Sequence, residues 1–363
     1  MLRILHIAPE NIAGVPYSFY DMHNKTGDFS RLVTMHSNPL NFKEDICLNL
    51  KLPRNNIASG WRRKKVRDRE EQITQSSSAK EFKPKNIAES IFFLARDVLR
   101  TPKINRVINL YGLNSFDVIF YHAGLDFYRF PKQAIRWKKE MGKKIVCFYH
   151  GSDLRIRGYI KALDQISDLN LTSEFDLLKI KNGLEFLFYP YDSSELPQRV
   201  KNESGKIRIV HSPTNRKYKG TDLIISVIEK IKSEKDVEFL LLEKMTRDEV
   251  LQIKATADIS IDQVGGTMGG TGYGKAGLES LAMGIPTITN MTDEYKNWLP
   301  ENPFVVCNNG QELYNDLIKL IEDKGYREKI GEMGQTWAGK YHGYNAVNQK
   351  LKTLLSEKKI ISG

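Results

Sequence analysis

Short apolar runs alternate with helix-like stretches along the whole chain. LRILHI (2–7), RLVTMH (31–36), FDVIFYH (116–122), KKIVCFYH (143–150), DLNLT (168–172) and EFLFY (185–189) set the rhythm of the first half. KIRIVHS (206–212), VEFLLLE (237–243), ADISIDQV before Gly265, PTIT (286–289) and FVVC (304–307) repeat it in the second. This alternation specifies an α/β chain of parallel sheets with helices on both faces. Between the halves lies PYDSSELPQRVKNESGK (190–206), rich in Pro, Ser, Asn and charge, which reads as a linker. A chain of 363 residues is long enough for two domains. We therefore expect one doubly wound domain over 1–195, a second over 206–340, and a helical last segment over 341–363. Ligands of such sheets bind beyond the carboxyl ends of the strands, so two domains facing each other would form a cleft.

Composition excludes several classes. The chain is 40% hydrophobic and 27% charged, with mean hydropathy −0.43, as in a soluble globular protein. No apolar run approaches the roughly 18 residues of a membrane span. MLRILHIAPE at the N-terminus reads as a first strand rather than a leader. Cys47, Cys147 and Cys307 are far apart and odd in number, which argues against a disulfide framework and for a reducing cytosol. The net charge is +11, and residues 1–200 carry 32 Lys+Arg against 22 Asp+Glu, so the N-terminal half holds nearly all the excess. That half is expected to meet something anionic; a plain solvated basic surface is the alternative. Arg62, Arg63, Lys64, Lys65, Arg67 and Arg69 fall in a polar stretch read as a long loop, and suit an acceptor or membrane surface. Trp61 is their one aromatic neighbour, and nucleic acid is not expected. NIAESIFFLARDVLRTPKINRVINLYG (86–112) reads as one or two basic amphipathic helices, packed on the sheet or resting on an anionic membrane.

The stretch GGTMGGTGYGKAGLES (265–280) has seven glycines between a strand and a helix. A helix N-terminus attracts phosphate, and glycine lets backbone approach a ligand closely. A phosphate site near Gly272–Gly274 follows. Glu279, in the first turns of the helix, can accept hydrogen bonds from a vicinal diol such as a ribose; a surface glutamate is the alternative. Residues 272–277 also fit G-x-G-x-x-G, with Glu294 about 20 residues on, but ten residues separate the match from its strand. Dinucleotide binding is kept as a lesser alternative. A second phosphate handle lies at HSPTNRKYKGT (211–221), where Arg216, Lys217 and Lys219 crowd one turn; a basic surface turn is the other reading.

Four stretches, AGVPYS (13–18), HGSDLR (150–155), SPTNRKYKGTD (212–222) and IDQVGGTMGGTGYGKAGLESLAMGIPTI (261–288), together resemble the retaining glycosyltransferases of the GT-B fold, close to glycosyltransferase family 4. The resemblance is strong over 206–310, thinner over 1–20 and 115–190, and absent from 40–110. It implies two Rossmann-like domains across a cleft: an N-terminal one for the acceptor, a C-terminal one for the nucleotide sugar, and a last helix crossing back. By position it implies Glu279 on the donor ribose, Lys219 with Arg216 on the diphosphate, and the backbone of Gly272, Tyr273 and Gly274 on sugar and phosphate. His150 would sit near the donor sugar, Gly14 would leave room for the reacting groups, and Asp153 is a reserve acceptor contact or a cap. Two positions depart from the pattern: Thr271 replaces the first glutamate of E-x7-E, and Thr214 the usual arginine. No D-x-D metal handle is found, so no metal or cofactor is expected beyond the nucleotide-sugar substrate, UDP- ahead of GDP-. The implied activity is transfer of a hexosyl group with retention to a glycan or lipid-linked acceptor in cell-envelope polysaccharide synthesis. Its expected location is the cytoplasm, peripheral on the inner membrane face. A nucleotide-sugar 2-epimerase of the same fold and a non-catalytic binding partner are the alternatives.

Overall fold

The apolar runs of the first half fold as β1 (Arg3–Ala8), β2 (Phe29–Thr34), β3 (Ile46–Cys47), β4 (Val118–His122), β5 (Lys144–Tyr149), β6 (Leu169–Thr172) and β7 (Leu184–Phe186). They form one sheet in the order β3-β2-β1-β4-β5-β6-β7. The second half supplies β8 (Ile207–His211), β9 (Val237–Leu241), β10 (Ile259–Gln263), β11 (Thr287–Thr289) and β12 (Val305–Val306), ordered β12-β11-β10-β8-β9. Every pairing among these strands is parallel. The longer helices are α1 (Val15–Lys25), α2 (Ile87–Leu110), α3 (Lys132–Lys139), α4 (Thr221–Lys232), α5 (Arg247–Lys254), α6 (Lys275–Ala282), α7 (Gly310–Glu322), α8 (Lys324–His342) and α9 (Tyr344–Glu357). Strand order reverses between β1 and β4 in one sheet and between β8 and β10 in the other, the places where open sheets hold ligands.

This computed structural model describes residues 1–38, 42–50, 78–200, 202, 204–265 and 272–361. Two units result, Met1–Pro190 with Val347–Gly363, and Tyr191–Ala346. The end of the chain is fastened to the first unit through α9: Asn348 Nδ2 donates to Thr26 Oγ1 at 2.9 Å, and Lys352 Nζ lies 2.9 Å from Asp28 Oδ2. The basic cluster from Arg62 to Arg69 and Thr271 lie outside the described residues.

Side chains alternate across a strand, so each sheet buries two different sets. In the first unit, Leu5, Ile7, Ile119, Ile145 and Cys147 share a core with Trp137 of α3. In the second, Ile209, Ile261 and Ile288 pack with Ile224 and Ile228 of α4 and Leu313 and Leu317 of α7.

Helix α2 buries Phe93, Ile104 and Ile108, but its first half turns an apolar stripe outward. Ile87, Ile91, Leu94, Val98 and Leu99 are 54–82% exposed, while Glu89 and Asp97 are buried on the inner face. The buried carboxylates are satisfied: Glu89 accepts from the Lys85 amide, and Asp97 from Arg96 and the Arg129 amide. Pro102 does not end the helix. Its missing N–H spares only the Val98 carbonyl, and both residues lie on the exposed side, where water can take that carbonyl. No described helix is long and apolar enough to cross a membrane.

The other face of the first sheet is aromatic and histidine-rich. His6 of β1, His122 of β4 and His150 just after β5 lie beside Phe120 and Phe148 of the sheet and Phe19 and His23 of α1. Burial holds the imidazoles neutral: His23 and His150 are pushed down to about 4, and His6 and His122 well below the ordinary 6.5. In the second unit burial pushes His211 to about 4 as well. An unfolded chain binds these protons near 6.5, whereas the native one excludes them until about pH 4. Stability is therefore lost as pH falls through that window. Asp126, pushed up to about 7 by burial, acts in the opposite direction as a single group. We predict a melting midpoint that falls steadily from pH 7.5 to pH 5 in scanning calorimetry; a flat or rising midpoint would contradict the assignment.

Candidate functional site

The polar residues at the end of β10 organise the second unit. Ser260 and Ile261 belong to the sheet, but the next two residues, Asp262 and Gln263, are polar and buried at its carboxyl edge. Lys219 comes from the short helix Arg216–Lys219, which follows β8 and is capped by Asn215 accepting from the Tyr218 amide. Its Nζ donates to Asp262 Oδ1 at 2.7 Å and to Gln263 Oε1 at 2.9 Å. The second oxygen of Asp262 accepts from the Gly274 amide at 2.7 Å, at the N-cap of α6. Burial raises the Asp262 carboxyl, but Lys219, the Gly274 amide and Lys254 outweigh it and hold the group below its ordinary range. One carboxylate thus joins the strand end, the lysine and the head of the helix.

The glycine loop is fixed at its described end. Gln263 Nε2 donates to the Gly272 carbonyl at 2.7 Å. A side chain at Gly272 would meet the Tyr295 ring at 2.0 Å, so only glycine fits there. Tyr273 turns its ring inward, 4.7 Å from Phe304, and its hydroxyl lies 2.8 Å from His342 Nε2. Its side chain anchors the loop and leaves its backbone at the helix head.

Glu279 lies one turn into α6, only 6% exposed. Arg247 Nε donates to its Oε1 at 2.9 Å, and Lys254 Nζ stands 3.9 Å from Oε2. Lys254 is fully buried, donates to the Ala276 carbonyl at 2.9 Å, and is held below its ordinary range by burial. Burial also pushes Lys275 down to about 8, against the pull of Glu279. Four cations, Lys219, Arg247, Lys254 and Lys275, therefore stand about two carboxylates at the start of one helix. An excess of positive charge beside a helix N-terminus suits a polyanion.

Of the residues singled out from sequence, the structure brings Lys219, Gly272, Gly274 and the helix of Glu279 together. Arg216 points elsewhere: its guanidinium makes an exposed two-pronged pair with Glu243, at 2.8 and 2.7 Å. Thr214 is exposed on the same turn. Sequence reasoning missed Asp262, Gln263, Arg247, Lys254 and Lys275. The two polar residues closing ISIDQ were the visible signal for the first pair. Arg247 and Lys254 gave none, since their contact with Glu279 spans a strand and the loop.

In the first unit, Gly14 is buried at the N-cap of α1 with φ 75°, a left-handed conformation that favours glycine. His150 is partly buried at the carboxyl end of β5, with its Nε2 3.2 Å from His122 Nδ1. Asp153 caps this turn, accepting from the amides of His150, Gly151 and Leu154.

No protein-family model matches the sequence, and no curated protein matches it. Solved structures do resemble the whole chain. The crystal structure of Anabaena HepE in complex with UDP and glucose aligns at 13% identity and TM-score 0.57, over 98% of this chain and 100% of that one. Sucrose-phosphate synthase from Thermosynechococcus elongatus aligns at 10% identity and TM-score 0.58, covering 98% and 99%. The catalytic domain of starch synthase IV from Arabidopsis thaliana, bound to ADP and acarbose, aligns at 10% identity and TM-score 0.57, covering 98% and 99%. Two parallel sheets wound on both sides, matched over nearly the whole length, give this chain the GT-B glycosyltransferase fold.

Proposed function

We propose that the chain is a glycosyltransferase that takes a hexosyl group from a nucleoside diphosphate donor and passes it, with retention, to a hydroxyl of a glycan or lipid-linked acceptor. The observation that carries this reading is Lys219, held by Asp262 beside the Gly274 amide at the head of α6. In this reading a donor diphosphate oxygen takes the third N–H of Lys219, which keeps Asp262 and Gln263, and the helix head takes its other oxygens. The same groups stabilise the charge that develops on the leaving diphosphate, the role a metal ion fills elsewhere. Glu279 keeps acceptor capacity beyond the Arg247 bond, enough for a ribose diol. The HepE complexes with UDP and with UDP-glucose support UDP as the first base to test. Retention rests on the four stretches that resemble the retaining family, and front-face attack leaves the departing phosphate to help take the acceptor's proton.

The acceptor reading draws on α2. A continuous apolar stripe, Ile87, Ile91, Leu94 and Val98, faces outward, and Lys103 and Arg106 are exposed further along the helix. Apolar surface followed by cations suits an anionic bilayer. We place the protein on the cytoplasmic face of a membrane, where a lipid-linked acceptor would reach it in envelope polysaccharide synthesis.

Calorimetry with UDP, GDP, ADP and NAD in the presence of a chelator tests the donor site. We predict that one nucleoside diphosphate binds, that Lys219→Ala weakens it by about 10- to 100-fold, and that Arg216→Ala costs less. Binding of NAD alone, or unchanged affinity in Lys219→Ala, would overturn the reading. Release of nucleotide that depends on an acceptor extract separates transfer from epimerisation and from a non-catalytic role. For the membrane contact, wild-type protein should sediment with phosphatidylglycerol vesicles, and Leu94→Ser/Leu99→Ser, two exposed changes, should not. Wild-type protein left in the supernatant would contradict it.

A further inference from the structure

We propose that His6 and His122 form a hydrogen-bonded imidazole ladder that fixes the ring of His150 with its proton on Nδ1, which makes His122 a positioning residue for His150. Its bearing on turnover rests on the reading, implied by the family resemblance, that His150 meets the donor sugar.

The ladder follows from strand register. His6 pairs with Phe120, and His122 stands two residues further along β4, on the same face. His122 in turn pairs with Phe148, and His150 stands two residues beyond it. Diagonal neighbours on one face of a sheet lie within reach of each other's side chains. The three imidazoles therefore climb obliquely across β1, β4 and β5 toward the carboxyl edge. The links are His6 Nδ1 to His122 Nε2 at 3.0 Å and His122 Nδ1 to His150 Nε2 at 3.2 Å. Neighbouring rings hold the planes: His23 stacks on His6 at 5.3 Å, and Phe19 and Phe148 flank His122.

Chemistry then sets the polarity. A neutral imidazole has one N–H and one acceptor nitrogen. If His150 donated to His122, then His122 would donate to His6, and the His6 proton would sit on Nε2. That atom is buried and has no partner among the described residues. A buried donor without an acceptor is the rarer and costlier defect. The reverse polarity leaves only an idle acceptor there: His6 Nδ1–H donates to His122, and His122 Nδ1–H donates to His150 Nε2. His150 must then carry its own proton on Nδ1. His6 and His122 are fully buried and His150 is the partly exposed end of the ladder. It presents a neutral donor at the edge of the sheet, fit for a sugar hydroxyl or phosphate oxygen.

Long-range 1H–15N NMR of the full chain labelled with 15N-histidine, at pH 7.5, reads each tautomer directly. The wild type should show Nδ1–H at His6, His122 and His150. In His122→Asn the side-chain amide can still donate to His150 Nε2, so the His150 tautomer should persist. In His122→Leu the His150 ring loses its donor, so its Nε2 resonance should lose the shift of an accepted hydrogen bond, with kcat for nucleotide-sugar turnover falling about tenfold at unchanged KM, and His122→Asn should restore both. His6→Leu provides a second break should His122→Leu fold poorly, and should release the His122 tautomer. Nε2–H at His150 in the wild type, or no change in both leucine variants, overturns the ladder. The predicted tautomers in a protein that turns over no nucleotide sugar would uphold the ladder and retire the transferase reading.

Discussion

The second unit depends on a single buried carboxylate. Asp262 is buried near the end of a strand of Ile and Ser, where a charge is costly unless it is paired. It is paired twice, with Lys219 from the turn after β8 and with the amide that heads α6. Removing either partner would leave a buried charge exposed to no water, so the pairs also fix where the strand, the turn and the helix meet. The glycine loop then joins two points whose positions are already set, with Gln263 holding the Gly272 carbonyl. The arrangement is preorganised for an anion. Asp262 and Gln263 already aim Lys219, and its third N–H is left to a diphosphate oxygen.

The first unit solves a different problem with the same sheet geometry. Its aromatic face carries imidazoles that burial keeps neutral, linked in a row by register. The first half of its outer helix carries the opposite feature, an apolar stripe in water and two carboxylates inside. Both depart from what local pattern alone favours, and departures of this kind concentrate at functional sites.

The fold was legible because its signals are local. The runs at 2–7, 116–122, 143–150 and 206–212 are short, apolar and bounded by turns, and each became a strand of a parallel sheet. The start of α6 was legible for the same reason, since glycines precede a run of helix formers. The site was legible only where one turn supplied it. Lys219 and Arg216 look equivalent in sequence, yet three residues on a helical turn send one to Asp262 and the other to Glu243. Lys254 read as a surface cation of an ordinary helix, and its burial against α6 depends on how two distant elements pack. The histidine ladder joins positions separated by 116 and 28 residues, so nothing short of strand register could reveal it. Helix α2 was foreseen as amphipathic, and Ile104 and Ile108 do join the core, but the burial of Glu89 and Asp97 on backbone donors was not foreseen.

The central claim is that a nucleoside diphosphate sits at the head of α6 on Lys219. A crystal structure of the full chain grown with UDP tests it most directly. The account predicts diphosphate oxygens at about 3 Å from Lys219 Nζ and from the first amides of α6, with the ribose hydroxyls on Glu279. UDP bound elsewhere, with no diphosphate oxygen on Lys219, would contradict it.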